Sequence, residues 1–131
     1  MYSAQVLDHF EHPRNAGSLE HPTANAQVEN PACGDVLRLT ANLAAGRIAE
    51  VKFLAQGCVP AIACASALTE LLAGKTLSEA ASIRRDDLLQ CLGELPQASN
   101  HASHLAIDAL AALLKELSSH PRTGDEGKAR P

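Results

Sequence analysis

Two cysteines in this chain lie where a thiol can be reached and can meet a metal. Cys33 sits in Pro31-Ala32-Cys33-Gly34-Asp35, and Cys58 in Gly57-Cys58-Val59-Pro60-Ala61-Ile62-Ala63. A cysteine that only fills a core belongs inside an apolar periodic run, whereas these two fall in punctuated loops. Gly34 permits a tight backbone path, and Asp35 brings a carboxylate two residues from Cys33. Cys58 directly precedes a helix opened by Pro60, whose first-turn amides lack intrahelical acceptors. The partial positive charge there is expected to favour thiolate over thiol. Thiolates beside a carboxylate point first to metal ligation and second to nucleophilic chemistry.

The remaining candidates are weaker. Cys64 shares a stripe with Ala61, Leu68 and Leu72, and Cys91 sits among Leu88, Leu89 and Leu92, so both read as small core residues. His101 and His104 are three apart near a helix start, a spacing that lets both face one metal. His101, in the first turn, is the better ligand candidate. His9, His12, His21 and His120 read as capping, turn or solvent residues.

The elements that must position these groups follow from pattern. Ser3 caps a short helix with Val6, Leu7 and Phe10 on one face, ending before Pro13. Residues 18–32 read as irregular, with one short edge strand near 26–28. Residues 36–43 alternate, with Leu37, Leu39, Ala41 and Leu43 on the inner face. Ala45-Gly46 turns the chain into a returning strand over residues 48–55, with Val51 and Phe53 inward. This antiparallel hairpin brings the start of its first strand beside the end of its second, so Cys33 and Cys58 can meet.

A helix is predicted over residues 60–73 with Gly74 closing it, and two short helices over 76–83 and 86–92. Residues 95–99 read as a linker. The longest helix, capped by Ser99 or Asn100, reaches about Ser119, with Leu105, Ala109, Leu113 and Leu117 on its apolar stripe. Strands first and helices after predict an α+β domain, a small antiparallel sheet with helices packed on one face. That domain is expected over residues 1–120, followed by a charged disordered tail over 121–131.

Composition narrows the function. The chain has 131 residues, enough for one domain with a real core, and 46% of them are apolar. Tyr2, Phe10 and Phe53 are its only aromatic residues, so the core must be built from Leu, Ile, Val and Ala. The net charge of −4, with no basic stripe, argues against nucleic acid as a partner. No apolar run reaches membrane-spanning length, and the first residues carry no secretory pattern, so a cytoplasmic location is expected. Four cysteines in a reducing compartment favour thiol or metal chemistry over disulfides.

With these residues in view, the chain resembles the IscU/NifU N-terminal family of iron–sulfur cluster assembly scaffolds, across nearly all of residues 2–117. The resemblance is carried by Tyr2-Ser3, Val6, Asp8-His9-Phe10, Pro13-Arg14-Asn15, Gly17, Pro31-Ala32-Cys33-Gly34-Asp35, Gly57-Cys58, Ala61-Ile62-Ala63, Gly74-Lys75, and His101 with Ser103 and Leu105-Ala106. It implies that Cys33, Asp35, Cys58 and His101 are the ligands of a nascent, transient [2Fe–2S] cluster, of iron or of zinc. It also implies a non-enzymatic scaffold or carrier, fed with persulfide sulfur by a cysteine desulfurase and passing clusters to apo iron–sulfur proteins.

Two departures qualify the resemblance. The family's third cysteine directly follows the histidine, where this chain has Ala102, which can neither bind metal nor carry persulfide. A homodimer sharing one cluster between two Cys33/Cys58 pairs would supply the missing thiolate. The family's Leu-Pro-Pro-Val-Lys chaperone segment is replaced by Leu95-Pro96-Gln97-Ala98-Ser99, which does not favour the usual Hsp70-type contact. Two further readings stand beside the scaffold: a zinc-binding relative that no longer assembles clusters, and a thiol enzyme with Cys58 as nucleophile and His101 as base.

Overall fold

The computed structural model describes residues 2–31 and 34–119, together with the backbone but not the side chain of Ala98. Cys33 and the expected tail over 121–131 lie outside the described residues. In chain order the elements are α1 (Ala4–Glu11), β1 (Ala24–Glu29), β2 (Val36–Ala44), β3 (Arg47–Gln56), α2 (Val59–Leu72), α3 (Leu77–Ala81), α4 (Arg85–Cys91) and α5 (Asn100–Ser119). The strands form one antiparallel sheet in the order β1-β2-β3. The α+β expectation stands, and the edge strand expected near 26–28 is the third strand of the sheet. That strand is longer than expected, six residues, because Ala24, Ala26 and Val28 alternate toward the core with their polar neighbours outward.

The β2–β3 hairpin closes through Ala45 and Gly46, whose φ values of 54° and 77° match the twist of the strands they join. A bulge at Asn42/Leu43 shifts the register, which leaves Leu43 only partly buried while Ile48 and Val51 point inward. Thr40, which the alternation of β2 sets on the face opposite Leu39 and Ala41, is also buried. The segment before β1 crosses that face, and the Leu19 amide donates to the Thr40 hydroxyl at 3.1 Å. On the free edge of β3, the Phe53 amide donates to the Asn15 carbonyl and the Gly17 amide donates to the Phe53 carbonyl. These bonds blunt an otherwise exposed edge.

Helices α2 and α5 cover the other face of the sheet. In α5 the buried residues are Leu105, Ala109, Leu113 and Leu117 with Ala106 and Leu110, as their spacing predicts. Helix α2 is buried around most of its circumference, Ala61, Ala63, Cys64, Ala65, Ser66, Ala67, Leu68 and Leu72 included. Its alanines let α1, α5 and β3 approach closely from different sides. Helix α3 begins with a capping box in which Thr76 and Glu79 satisfy each other's amides at 3.1 and 3.0 Å. Ser3 caps α1 by accepting from the Val6 amide, and its hydroxyl also donates to the Leu92 carbonyl. The expected linker contains one 3₁₀ turn, Gln97–Ser99, leading directly into α5. Among the described residues, no helix is long and apolar enough to cross a membrane.

Candidate metal centre

The register of the hairpin builds the site. Val36 pairs with Gln56, so Asp35 and Gly57 stand across from each other one step beyond the ladder. Asp35 is fixed from its own side, since the Asn30 amide donates to its carbonyl at 2.8 Å and the Gly34 amide returns to the Asn30 carbonyl at 2.7 Å. Cys58 follows Gly57 and is the N-cap residue of α2. His101, in the first turn of α5, closes the third side.

Three ligand atoms converge. The Cys58 thiol donates to Asp35 Oδ2 over 3.5 Å, and its Sγ lies 3.8 Å from His101 Nε2. The same Nε2 is 3.6 Å from Asp35 Oδ2. A tetrahedral metal with bonds of about 2.0–2.3 Å places its ligand atoms roughly 3.3–3.8 Å apart. All three separations fall in that interval, so one ion could touch all three residues. The Asp35 side chain is only 8% exposed, whereas that of His101 is 37% exposed. The group therefore has a closed floor and an open mouth.

The electrostatics of Cys58 correct the sequence expectation. Burial pushes its thiol above the ordinary value, the Ala61 amide in the first helical turn pulls it back, and the negative charge of Asp35 adds to the rise. The helix terminus acts in the expected direction, but desolvation outweighs it. Without a bound cation, Cys58 is a protonated thiol rather than an activated nucleophile. Desolvation also dominates at Cys64, which is wholly buried and pushed up to about 12.

The other candidates separate clearly. His104 points to solvent one turn beyond His101 and is absent from the convergent group. Cys64 is core, as its stripe implies. Cys91 is only half-buried, because it lines an open groove of about 500 Å³ with Leu71, Lys75, Ile83 and Gln90. His9 is neither a cap nor a solvent residue: it is buried in the α1–α2 contact, with Nδ1 2.8 Å from the Ser66 hydroxyl and Nε2 3.6 Å from Glu70. Its position on the inner face of α1, three residues from Val6, could have signalled this. Ala102 is buried beside His101. Gly57, which the sequence presents only as the residue before Cys58, stands across from Asp35 just beyond the end of the ladder.

Comparison with known proteins places this geometry in a family. Residues 1–123 match the family model described as the NifU-like N terminal domain. The chain is 44% identical over 110 residues to iron-sulfur cluster assembly scaffold protein IscU 1 of Archaeoglobus fulgidus, covering 84% of this chain and 72% of that one. It is 42% identical over 119 residues to the scaffold protein IscU of Haemophilus influenzae, covering 88% and 94% of the two chains. The IscU of Escherichia coli K12 is 41% identical over 122 residues, with 90% and 94% covered. Among solved structures, a NifU-like N-terminal protein from Brucella abortus superposes with a TM-score of 0.77 at 17% identity, covering 91% and 95% of the two chains, and supports the fold alone. With most of its length matched, the chain belongs to the NifU-like N-terminal domain family.

Proposed function

We propose that this protein is an iron–sulfur cluster assembly scaffold or carrier that binds iron or a nascent [2Fe–2S] cluster and transfers it to apo-proteins. The observation that carries this reading is the convergence of Asp35, Cys58 and His101 at separations suited to one metal. Cys33, two residues before Asp35, would complete a set of four. Relatives at 41–44% identity bear the name of iron-sulfur cluster assembly scaffold.

The donor set suits a cargo that must leave. Thiolates bind iron–sulfur clusters firmly, while carboxylate and imidazole are weaker ligands, so a mixed set holds the cluster less tightly. The half-buried His101 gives an acceptor access, and the buried Asp35 anchors the opposite side. Sulfur would come from a cysteine desulfurase in the cytoplasm. A homodimer sharing one cluster would offset the thiolate absent at Ala102. On this reading the chain is a transfer module, not an enzyme with turnover.

Anaerobic reconstitution with iron, sulfide and thiol tests the proposal. Visible charge-transfer bands with stoichiometric iron and sulfide, lost in Cys33→Ser and Cys58→Ser but kept in Cys91→Ser, are the expected result. Equal loss in all three variants would sink the site assignment.

A second reading, a zinc-binding relative, draws on the same three distances. They suit a single ion without any contribution from Ala102, and a colourless product retaining one zinc per chain would favour it. The thiol-enzyme reading fits less well. Its general base would address Cys58 through one ring nitrogen and its orienting carboxylate through the other. Here Asp35 and Cys58 both face His101 Nε2.

A further inference from the structure

We infer that Gly57 is a positioning residue for the metal centre, its missing side chain being the space that the Asp35 carboxylate occupies. A methyl group on Gly57 would stand 2.5 Å from Asp35 Oδ1, 2.7 Å from Cγ and 3.2 Å from Cβ. Carbon and oxygen in non-bonded contact do not approach so closely, so either the carboxylate or the strand end must move.

The carboxylate has nowhere cheap to go. Asp35 is a short side chain and is 6% exposed. Its other oxygen, Oδ2, is already engaged at 3.5 Å by Cys58 and at 3.6 Å by His101. Rotation about the Cα–Cβ bond would relieve the closest contacts only by turning the carboxylate away from Cys58 and His101, and the Asp35 Cβ would still lie 3.2 Å from the added methyl. The hairpin register holds the two residues opposite each other, because Val36 is paired with Gln56 immediately inside them. Glycine at position 57 thus lets β3 press against Asp35 and turn its Oδ2 toward the thiol and the imidazole. The role is exerted through Asp35, since Gly57 itself offers no ligand atom.

This inference rests on the metal-binding reading, and cobalt(II) separates the two. Cobalt reports tetrahedral geometry through its visible d–d bands and thiolate ligation through a near-ultraviolet charge-transfer band. Cobalt titrations of the wild type, Gly57→Ala, Asp35→Ala and the double variant form a cycle. Gly57→Ala is expected to weaken cobalt binding by roughly 10–100-fold, the range typical of lost ligand support. It should alter the d–d bands as Asp35→Ala does, while keeping the thiolate band of Cys58. In the Asp35→Ala background, Gly57→Ala should cost clearly less, leaving only the backbone strain of a side chain at φ 158° and the 3.2 Å approach to the Cβ of residue 35.

Equal costs in both backgrounds, or wild-type binding by Gly57→Ala, would overturn the positioning role. A wild type with no thiolate–cobalt band would instead overturn the metal-binding reading and the inference with it. If Gly57→Ala fails to fold, the melting curve of the double variant decides. Recovery on removing the carboxylate supports the contact, and unfolding in both backgrounds refutes it.

Discussion

Cys58 Sγ lies 3.8 Å from His101 Nε2 although 43 positions separate the two residues, and Asp35 Oδ2 is 3.5 Å from the same sulfur. Burial and the Asp35 charge hold the thiol protonated, so a metal must displace a proton to bind it. Zinc affinity is therefore expected to rise by about tenfold per pH unit from this one proton while the thiol remains mostly protonated. Competition titrations between pH 6.5 and 8 measure the slope. In Cys58→Ser the slope should flatten and the affinity should fall by at least tenfold, about 1.4 kcal/mol. A slope unchanged by the substitution would remove Cys58 from the ligand set.

Ala102 separates the two metal readings. The three convergent residues already satisfy the spacing of one ion, so a thiol at position 102 should change zinc affinity by less than about tenfold. A two-iron cluster takes four terminal ligands, one more than these three residues offer, and a thiolate holds it more firmly than carboxylate or imidazole. Ala102→Cys is accordingly expected to prolong retention of a reconstituted cluster, followed by the decay of visible absorbance. A variant that gains zinc affinity strongly and cluster lifetime not at all would contradict this division.

Much of the fold was legible because its signals are local. The alternation in β2, the apolar stripe of α5 and the glycine after α2 each act within a few residues. Three of the four candidate residues, Asp35, Cys58 and His101, do converge. What escaped depends on contacts between distant segments. The burial of Thr40 needs the segment before β1 to cross the sheet, and the burial of His9 needs Ser66 on another helix. The raised value of Cys58 is a balance between desolvation and a helix terminus, and only the terminus is visible in sequence. The importance of Gly57 needs the register that sets it opposite Asp35.

His9 gives the fold a pH dependence. Burial and the nearby Arg14 charge hold its imidazole below the ordinary 6.5, against the weaker pull of Glu70 and Asp8. The folded state thus resists a proton that the unfolded chain accepts. Stability from this group is complete above about pH 6.5 and declines as pH falls toward the folded value, by at most about 1.4 kcal/mol per pH unit. Urea denaturation at pH 7.5, 6.5 and 5.5 tests this against His9→Asn, whose curve should fall less steeply. Parallel declines would mean that other groups carry the acid sensitivity.

The closest tolerances belong to α2, which carries Cys58 at its N-terminus and has alanines facing several neighbours. Ala63 and Ala65 are fully buried, so a larger side chain has no free volume to enter. Ala65→Leu is expected to destabilise the domain by about 1–3 kcal/mol through overpacking. Leu68→Ala, on the same helix, should cost about 2–5 kcal/mol through the cavity it leaves. Urea unfolding monitored by circular dichroism reads both. Opposite manipulations with the same sign of effect are what an enclosed helix requires. If Ala65→Leu proved neutral, α2 would have an open side, and the rigid placement of Cys58 against Asp35 would need another source.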